Sequence, residues 1–181
     1  MSVFKFRYIK PADFLCLTHL INRAYRPACG EEGWTHESNW ISDKRLSLPQ
    51  LEQLAHKKHR HILIAELDDR IAGCVMFSLN QSPSQSYVEI GLLTVDPSVQ
   101  NQQLGRKLLA QAEFLAMTRY QPDYFEMSVV NTRTELIEFY ERRGYKLTDE
   151  IKPYPIEQGV GTPKMPLDML PLHLVKMKKP V

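Results

Sequence analysis

The chain has 181 residues, of which 43% are hydrophobic and 24% are charged, values within the range of globular proteins. This length suits one domain with a full core, and we predict a single domain over residues 1–181. The net charge of +2 is too small to indicate nucleic-acid binding. We therefore expect no nucleic acid among the partners of this protein.

The cysteines and the apolar runs indicate the cellular compartment in which the protein works. Three cysteines, an odd number without a CxxC pair, argue against a disulfide scaffold. The N-terminal stretch alternates charged and apolar residues and does not resemble a signal peptide. No apolar run approaches about 20 residues, so no membrane-spanning helix is predicted. These features predict a cytoplasmic protein with no membrane partner.

Apolar periodicity predicts an α/β (α+β) fold with a mixed sheet, in the element order β-α-α-β-β-β-α-β-α-β-β. The predicted strands are Val3 to Ile9, His61 to Leu67, Ile71 to Leu79, Tyr87 to Val95, Tyr124 to Val130, Tyr145 to Asp149 and Leu172 to Lys178. The predicted helices run from Pro11 to Tyr25, from Ser47 through Ala55, from Leu104 to the stop at Gln121, and from Thr134 to Arg143.

Turn and cap residues set the ends of these elements. Ser47 with Gln50, and Thr132 with Glu135, have the spacing of capping boxes, and Gly144 suits the end of the last helix. Two long connections remain. The first contains Trp40 and Ile41, where a short helical turn is predicted, and the second is a Pro- and Gly-rich segment, residues 151–171, that is predicted to be a long ordered loop.

The chain is organised around the stretch from Glu89 to Glu113, which is predicted to form a strand, a tight turn and a helix. Its strand is almost uninterrupted apolar, as in strands covered on both faces. A break at Asp96-Pro97-Ser98 follows, and then a helix begins near Leu104. Unpaired N–H groups and the positive end of the helix dipole suit a phosphate there. We therefore predict that this turn holds a pyrophosphate.

Two sequence motifs lie at matching places in this order of helices and strands. Gln100, Gln103 and Gly105 are spaced Gln-x-x-Gln-x-Gly, and the segment from Leu136 to Tyr145 reads LIEFYERRGY. Together they resemble the GNAT superfamily of acyl-CoA N-acyltransferases, over nearly the whole chain. The superfamily's motifs are Gln/Arg-x-x-Gly-x-Gly/Ala and LYe-x-x-GF. Here Gln103 stands in the place of a glycine, and Arg133 stands where the superfamily often has an asparagine.

The resemblance implies a six- to seven-stranded GNAT-like sheet with four helices and an acetyl-CoA site between its two central strands, which splay apart. Backbone groups of Leu93 and Val95 would pair with pantetheine as another strand would, and Gly91 is compatible with a bulge there. The cofactor-binding residues that the resemblance implies are Leu93, Thr94, Val95, Gln100, Asn101, Gln102, Gln103, Leu104, Gly105, Arg106, Asn131 and Arg133.

The implied reaction is direct transfer of an acetyl group to a primary amine of a small molecule or a peptide. Glu89 occupies the strand position of the catalytic glutamate in the histone-acetylating branch and is the candidate base. The alternative is a strand-end glutamate that faces solvent or pairs with an arginine. Tyr140, a phenol that stays protonated at pH 7, is the candidate acid for the thiolate. Its alternative is a core tyrosine.

Other interpretations stay open beside this one. A non-catalytic acetyl-CoA-binding regulatory module is the competing function, because Gln103 and Arg133 depart from the motifs. The histidines of HKKHRH have no cysteine or carboxylate in the same run, so no metal site is predicted. The two long connections are expected to shape the acceptor pocket. A homodimer is also compatible, since the final strands of the superfamily often mediate dimers.

Overall fold

The computed structural model describes residues 3–26, 40–99 and 102–181. Its helices are α1 (Phe14–Tyr25), α2 (Leu48–His56), α3 (Leu104–Tyr120) and α4 (Thr134–Glu141). Its strands are β1 (Lys5–Tyr8), β2 (Ile41–Ser42), β3 (Arg60–Leu67), β4 (Arg70–Gln81), β5 (Ser86–Val95), β6 (Tyr124–Val130), β7 (Lys146–Pro153), β8 (Thr162–Pro163) and β9 (His173–Pro180). None of the helices in the described ranges is long and apolar enough to span a bilayer.

Seven strands form one sheet in the order β1-β3-β4-β5-β6-β9-β7, and β2 and β8 form a separate pair. All neighbours in the large sheet are antiparallel except β5 and β6, which are parallel. The predicted mixed sheet and the four predicted helices are therefore confirmed in the part of the chain that the structure describes.

Two predictions about the connections need correction. The helical turn predicted at Trp40 and Ile41 is wrong, because Ile41 begins β2 and pairs with Pro163 of β8. The loop predicted from residue 151 is wrong at its start, because β7 continues to Pro153 beyond an irregularity and pairs with β9. In both cases the pairing partner lies far along the chain, so the local pattern does not reveal the strand.

One of the two predicted capping boxes forms. The Ser47 N–H donates to Gln50 Oε1 at 2.7 Å, and the Gln50 N–H donates to Ser47 Oγ at 3.4 Å, so the box at α2 is confirmed. The box predicted at Thr132 is wrong, because the N-cap of α4 is Arg133 and no side chain caps this helix. The helix begins one residue later than the box requires.

The four helices cover the two faces of the sheet. Leu108 and Ala112 of α3 are fully buried against one face, and Leu17 and Ile21 of α1 are fully buried in a cluster against the other. Each fully buried large aliphatic side chain contributes about 1.5–3 kcal/mol. These two layers hold the central strands in place.

A third apolar cluster lies at the end of β6 and joins the two long connections. Ile41 of β2 packs with Tyr154, Val160 and Val130 in this cluster. Arg26, just after α1, donates to the Tyr154 hydroxyl at 3.3 Å and to the Val160 carbonyl at 3.1 Å. The chain beyond β7 is therefore fixed beside the C-terminal end of β6 and the end of α1.

Candidate functional site

The two parallel strands at the centre of the sheet stay together for only a short distance. Residues 87–89 of β5 pair with residues 124–126 of β6, ending at Glu89 and Glu126. Beyond these residues the described parts of the two strands do not pair, although β5 continues to Val95 and β6 to Val130. Backbone groups on the facing edges are thus available to a ligand that lies between the strands.

A β-bulge lies where this gap opens. The register between β4 and β5 shifts between Cys74 and Met76, whose partners are Thr94 and Gly91. Leu92, inside the bulge, has a φ of 52°, in the left-handed region that branched or bulky residues rarely adopt. The bulge predicted near Gly91 is confirmed, and the residue with the unusual backbone is Leu92. Such strain is often found at ligand sites.

A cavity of about 450 Å³ lies at the open end of the gap. Eight of the predicted cofactor-binding residues line it: Leu93, Thr94, Val95, Gln103, Leu104, Gly105, Arg106 and Arg133. Six residues that sequence reasoning did not select complete the lining: Ala24, Tyr25, Val99, Leu136, Phe139 and Arg143. The structure thus brings both sequence motifs to one place, together with the end of α1.

The N-terminus of α3 forms one wall of this cavity. Gln103 is its N-cap, with φ 58° and ψ 19°, a left-handed conformation in which glycine is favoured. Glutamine adopts this conformation at a cost of about 1–2 kcal/mol, which gives a physical reason for the glycine in the superfamily motif. The first N–H groups of α3 have no partner within the helix, and its dipole favours an anion.

Arg143 adds a cation that was not among the predicted cofactor-binding residues. Its guanidinium lies 3.4 Å from the centroid of the Phe139 ring and donates to the Phe139 carbonyl. Its Nε is buried without a hydrogen-bond partner in the described residues. Burial, and then the nearby Arg142 and Arg106, lowers the pKa of Arg143. With Arg106 and Arg133 also in the lining, the cavity suits an anionic ligand.

Two described residues of the predicted cofactor-binding set, Asn131 and Gln102, are not in this lining. Asn131 holds the start of β9 instead, since its Oδ1 accepts a hydrogen bond from the His173 N–H at 2.9 Å. Gln102 is exposed and does not line the cavity. Gln100 and Asn101 lie outside the described residues.

Tyr140 lies behind the cavity wall and is only 6% exposed. Its ring makes an edge contact with that of Phe139, at a centroid distance of 5.2 Å. Burial raises the pKa of Tyr140, with Tyr25 acting in the same direction and Arg133 and Arg143 acting against it. The phenol therefore stays protonated through the neutral range. Its place in the core and its closeness to the lining fit both interpretations of this residue.

Glu89 lies at the point where β5 and β6 separate. Val88 and Ile90 on either side of it belong to the core beneath α3, so the Glu89 side chain faces the opposite side of the sheet. It is half-buried. No described arginine or lysine forms an ion pair with Glu89. The described residues therefore do not support the alternative in which an arginine pairs with Glu89.

Glu126, the neighbour of Glu89 across the parallel pair, was missed by sequence reasoning. It is 4% exposed and lies 3.1 Å from Lys176 and 3.7 Å from Lys178, both on β9. Lys176 also reaches Glu150 of β7 at 2.6 Å. These ion pairs connect Glu126 with β9 and β7, whereas no described cation pairs with Glu89. The alternating lysines of β9 were the available sequence signal.

One histidine of the histidine-rich run makes a structural contact in this fold. His61 Nε2 shares a short hydrogen bond with the Tyr120 hydroxyl, and burial lowers the pKa of His61. Within residues 3–26, 40–99 and 102–181, no group of three or more His, Cys, Asp or Glu side chains is arranged to hold a metal ion.

Comparison with solved structures gives many proteins of the same fold. The ribosomal-protein-alanine N-acetyltransferase of Brucella melitensis matches with a TM-score of 0.68 at 16% identity, over 98% of this chain and 99% of that one. The Salmonella typhimurium protein YncA, with its cofactor acetyl-CoA, matches with a TM-score of 0.66 at 18% identity, over 99% and 94%. A chimera of the Vibrio cholerae spermidine N-acetyltransferase SpeG with hSSAT matches with a TM-score of 0.68 at 15% identity, over 99% and 96%.

At these identities the solved structures show the fold alone. A search of curated proteins gives no match. The model of the acetyltransferase (GNAT) family matches residues 17–145, which is well over half of the chain. That match includes the cavity, the bulge and both motifs. The chain therefore belongs to the GNAT family of acetyltransferases.

Proposed function

We propose that this acetyltransferase moves an acetyl group from acetyl-CoA directly to a primary amine of a small molecule or a peptide. Acetyl-CoA is the acyl donor of the family. The observation that supports the proposal most is the cavity at the open end of the β5–β6 gap, with the N-terminus of α3 and three arginines in its lining.

The cavity residues fit the chemistry of this donor, which has an amide-containing arm and a diphosphate. Every second residue of a strand offers its backbone groups to the same edge, so Leu93 and Val95 would pair with the arm as a further strand. The first N–H groups of α3, near Gly105 and Arg106, would hold the diphosphate. Arg143, which also lines the cavity, is a further cation for the diphosphate.

Glu89 would act as the base, through a water molecule. Bound acetyl-CoA supplies an acyl group activated as a thioester. An alkyl amine with a pKa near 10.4 is almost entirely ammonium at pH 7, so a proton must leave before attack. Glu89 suits this role because it stands where the strands separate and no described cation pairs with it. Proton transfer of this kind contributes about 10²–10⁴-fold to the rate.

Tyr140 would donate a hydrogen bond and then its proton to the departing thiolate. Its burial keeps the phenol protonated until that step. Arg133 and Arg143 act against this rise in the Tyr140 pKa but do not cancel it. A positively charged surrounding also favours the thiolate itself.

The acceptor is proposed only as a class. The names of two structural neighbours refer to a ribosomal-protein alanine and to spermidine, so one fold serves a protein amine and a polyamine. For this chain, we expect the amine to approach the face of the sheet that carries Glu89. The apolar cluster that holds residues 154–172 beside the end of β6 would form one border of that approach.

We further propose that the chain is a single domain that works in the cytoplasm. Cys16 is exposed and Cys74 is buried, and both are free, as is usual in a reducing compartment. If two copies associate, the edge strand β7 is the surface we favour, because Leu147 and Ile151 expose apolar side chains there.

Acetyl-CoA should stabilise the protein against heat, and Arg143→Ala should weaken that effect. At about 100 times its dissociation constant, a ligand contributes about 2.7 kcal/mol, or a melting shift of about 5–11 °C at this chain length. Loss of a hydrogen bond to a charged group costs about 1.5–3 kcal/mol, which raises Kd about 10- to 150-fold. Scanning fluorimetry and calorimetric titration measure the two effects.

Arg142→Ala is the matched control for this experiment. Arg142 is exposed and pairs with Glu138 at 3.4 Å, and it does not line the cavity. This variant should bind acetyl-CoA much as the unmodified protein does. No melting shift with acetyl-CoA would contradict the donor site, and equal losses in the two variants would contradict the role of Arg143.

Tyr140→Phe should lower kcat by about 10²–10⁴-fold and leave the Kd of acetyl-CoA unchanged, because only the proton donor is removed. Thiol release and calorimetric titration measure these quantities. Tyr145→Phe is the control, since the Tyr145 hydroxyl is engaged with Glu113 at 2.8 Å. That variant should lose some stability and retain turnover. An unchanged kcat in Tyr140→Phe would remove the proposed acid.

Glu89→Gln should lower kcat/KM at neutral pH by about 10²–10⁴-fold, because glutamine cannot accept the proton. Thiol release at several amine concentrations measures kcat/KM. Glu138→Gln, which changes an exposed glutamate on α4, should keep the kcat/KM of the unmodified protein. If Glu89→Gln also keeps that value, another group is the base.

A further inference from the structure

We propose that the hydroxyl of Tyr25 touches the sulfur of the donor and donates the hydrogen bond that stabilises the departing thiolate. The inference rests on the proposed function, in which Tyr140 is the acid, and it adds a catalytic residue that neither motif contains. Tyr25 is the last residue of α1 and lies far along the chain from α3 and α4. Its place in the site arises only from the packing of α1 against the sheet.

The first observation is that Tyr25 reaches the cavity and Tyr140 does not. Tyr25 is among the lining residues, whereas Tyr140 is outside the lining and only 6% exposed. Phe139, which makes an edge contact with the Tyr140 ring, is part of the cavity wall. The other hydroxyl in the lining, that of Thr94, donates to the Leu92 carbonyl at 3.0 Å. Tyr25 therefore brings to the cavity a hydroxyl that both donates and accepts hydrogen bonds.

The second observation is the end of the cavity at which Tyr25 lies. Tyr25 packs in the apolar cluster beneath α1 and α2, together with Leu92 of the bulge. In the proposed function the diphosphate lies at the N-terminus of α3, and the arm of the donor runs along Val95 and Leu93. The thioester at the other end of the arm would then lie beside the bulge, where the strands separate. Tyr25 and the reacting sulfur thus belong to the same end of the cavity.

The third observation is that Tyr25 and Tyr140 approach each other from opposite faces of the sheet. Tyr140 packs in the cluster beneath α3, and Tyr25 packs in the cluster on the other face. Since the described parts of β5 and β6 do not pair along the gap, side chains from the two faces can meet there. After burial, Tyr25 has the largest influence on the pKa of Tyr140, which it raises, ahead of Arg133 and Arg143. Such an influence is that of a near neighbour.

The ring of Tyr25 and its backbone are held in place by further contacts. The Arg45 guanidinium lies 5.4 Å from the centroid of the Tyr25 ring. The next residue, Arg26, donates to the Tyr154 hydroxyl at 3.3 Å and to the Val160 carbonyl at 3.1 Å. A donor that is already fixed needs little reorganisation when negative charge develops on the sulfur. The Arg45 cation also adds to the positive surroundings that favour a thiolate.

The Tyr25 hydroxyl would act as the carbon–sulfur bond breaks. The electron pair of that bond stays on the sulfur, and Tyr25 donates a hydrogen bond to the resulting thiolate. The proton that Tyr140 supplies then reaches the sulfur through Tyr25, which gives up one proton as it receives one. Tyr25 ends neutral, CoA ends as the thiol, and Tyr140 ends as a phenolate that regains its proton from water. The charges of Arg133 and Arg143 favour that phenolate.

The test compares the binding of CoA with that of desulfo-CoA, which lacks the sulfur, and does not depend on activity. Calorimetric titrations are made at pH 9, where an alkyl thiol with a pKa near 8.5 is mostly ionised. A hydrogen bond to a charged group changes Kd by about 10- to 150-fold. The unmodified protein should prefer CoA to desulfo-CoA by at least about tenfold, and Tyr25→Phe should lose about tenfold or more of its preference.

The ratio of the two Kd values isolates the contact with the sulfur. Tyr25→Phe keeps the ring and its contact with Arg45, so its melting temperature should stay close to that of the unmodified protein. Tyr120→Phe is the matched control, because the Tyr120 hydroxyl bonds to His61 outside the cavity lining. This control should keep the full preference for CoA. If Tyr25→Phe weakens CoA and desulfo-CoA equally, Tyr25 has a structural role only and the inference is overturned.

Turnover of the same variants separates this inference from the proposed function. Tyr25→Phe should lower kcat by about 10- to 150-fold, and the double variant with Tyr140→Phe should be no slower than the slower single variant. Fully additive losses would overturn the passage of the proton through Tyr25. An unchanged preference for CoA in Tyr25→Phe would overturn the inference and leave the role of Tyr140 standing. A lost preference with an unchanged kcat in Tyr140→Phe would uphold the Tyr25 contact and refute Tyr140 as the acid.

Discussion

The short parallel pairing of β5 with β6 is the constraint on which the rest of the site depends. Each backbone N–H and C=O in a central strand needs a partner, yet these strands stop pairing at Glu89 and Glu126. The bulge at Leu92 bends β5 at this point, and the lysines of β9 hold Glu126. The apolar layers on both faces hold β5 and β6 in place on either side of the gap. A place for an amide-containing ligand therefore exists before any ligand arrives.

Charge divides the site into two parts. Arg106, Arg133 and Arg143 lie in the cavity lining, where an anionic donor would be held. Glu89 faces the opposite side from the core beneath α3, where a cationic amine would approach. The positive part would favour the anionic donor, and the negative part would favour the cationic amine. The two substrates would then meet only where the strands diverge.

Much of the fold could be predicted from periodicity, because β5 and α3 carry their apolar residues at the spacing their burial requires. β2 and β8 could not be predicted, since each has two residues and pairs only with a distant partner. Both motifs led to the cavity. Arg143 was not predicted as a cofactor-binding residue, because its place in the cavity lining depends on how α4 packs.

The most direct test of the account is amide hydrogen exchange with and without saturating acetyl-CoA. Residues 91–95 of β5 and the first turn of α3 should exchange more slowly with the ligand, because their N–H groups gain partners. Residues 87–89 of β5, already paired with β6, should change little. Protection of the open segment and not of the paired one is the result the account predicts. Unchanged exchange at residues 91–95 in the presence of bound acetyl-CoA would contradict it.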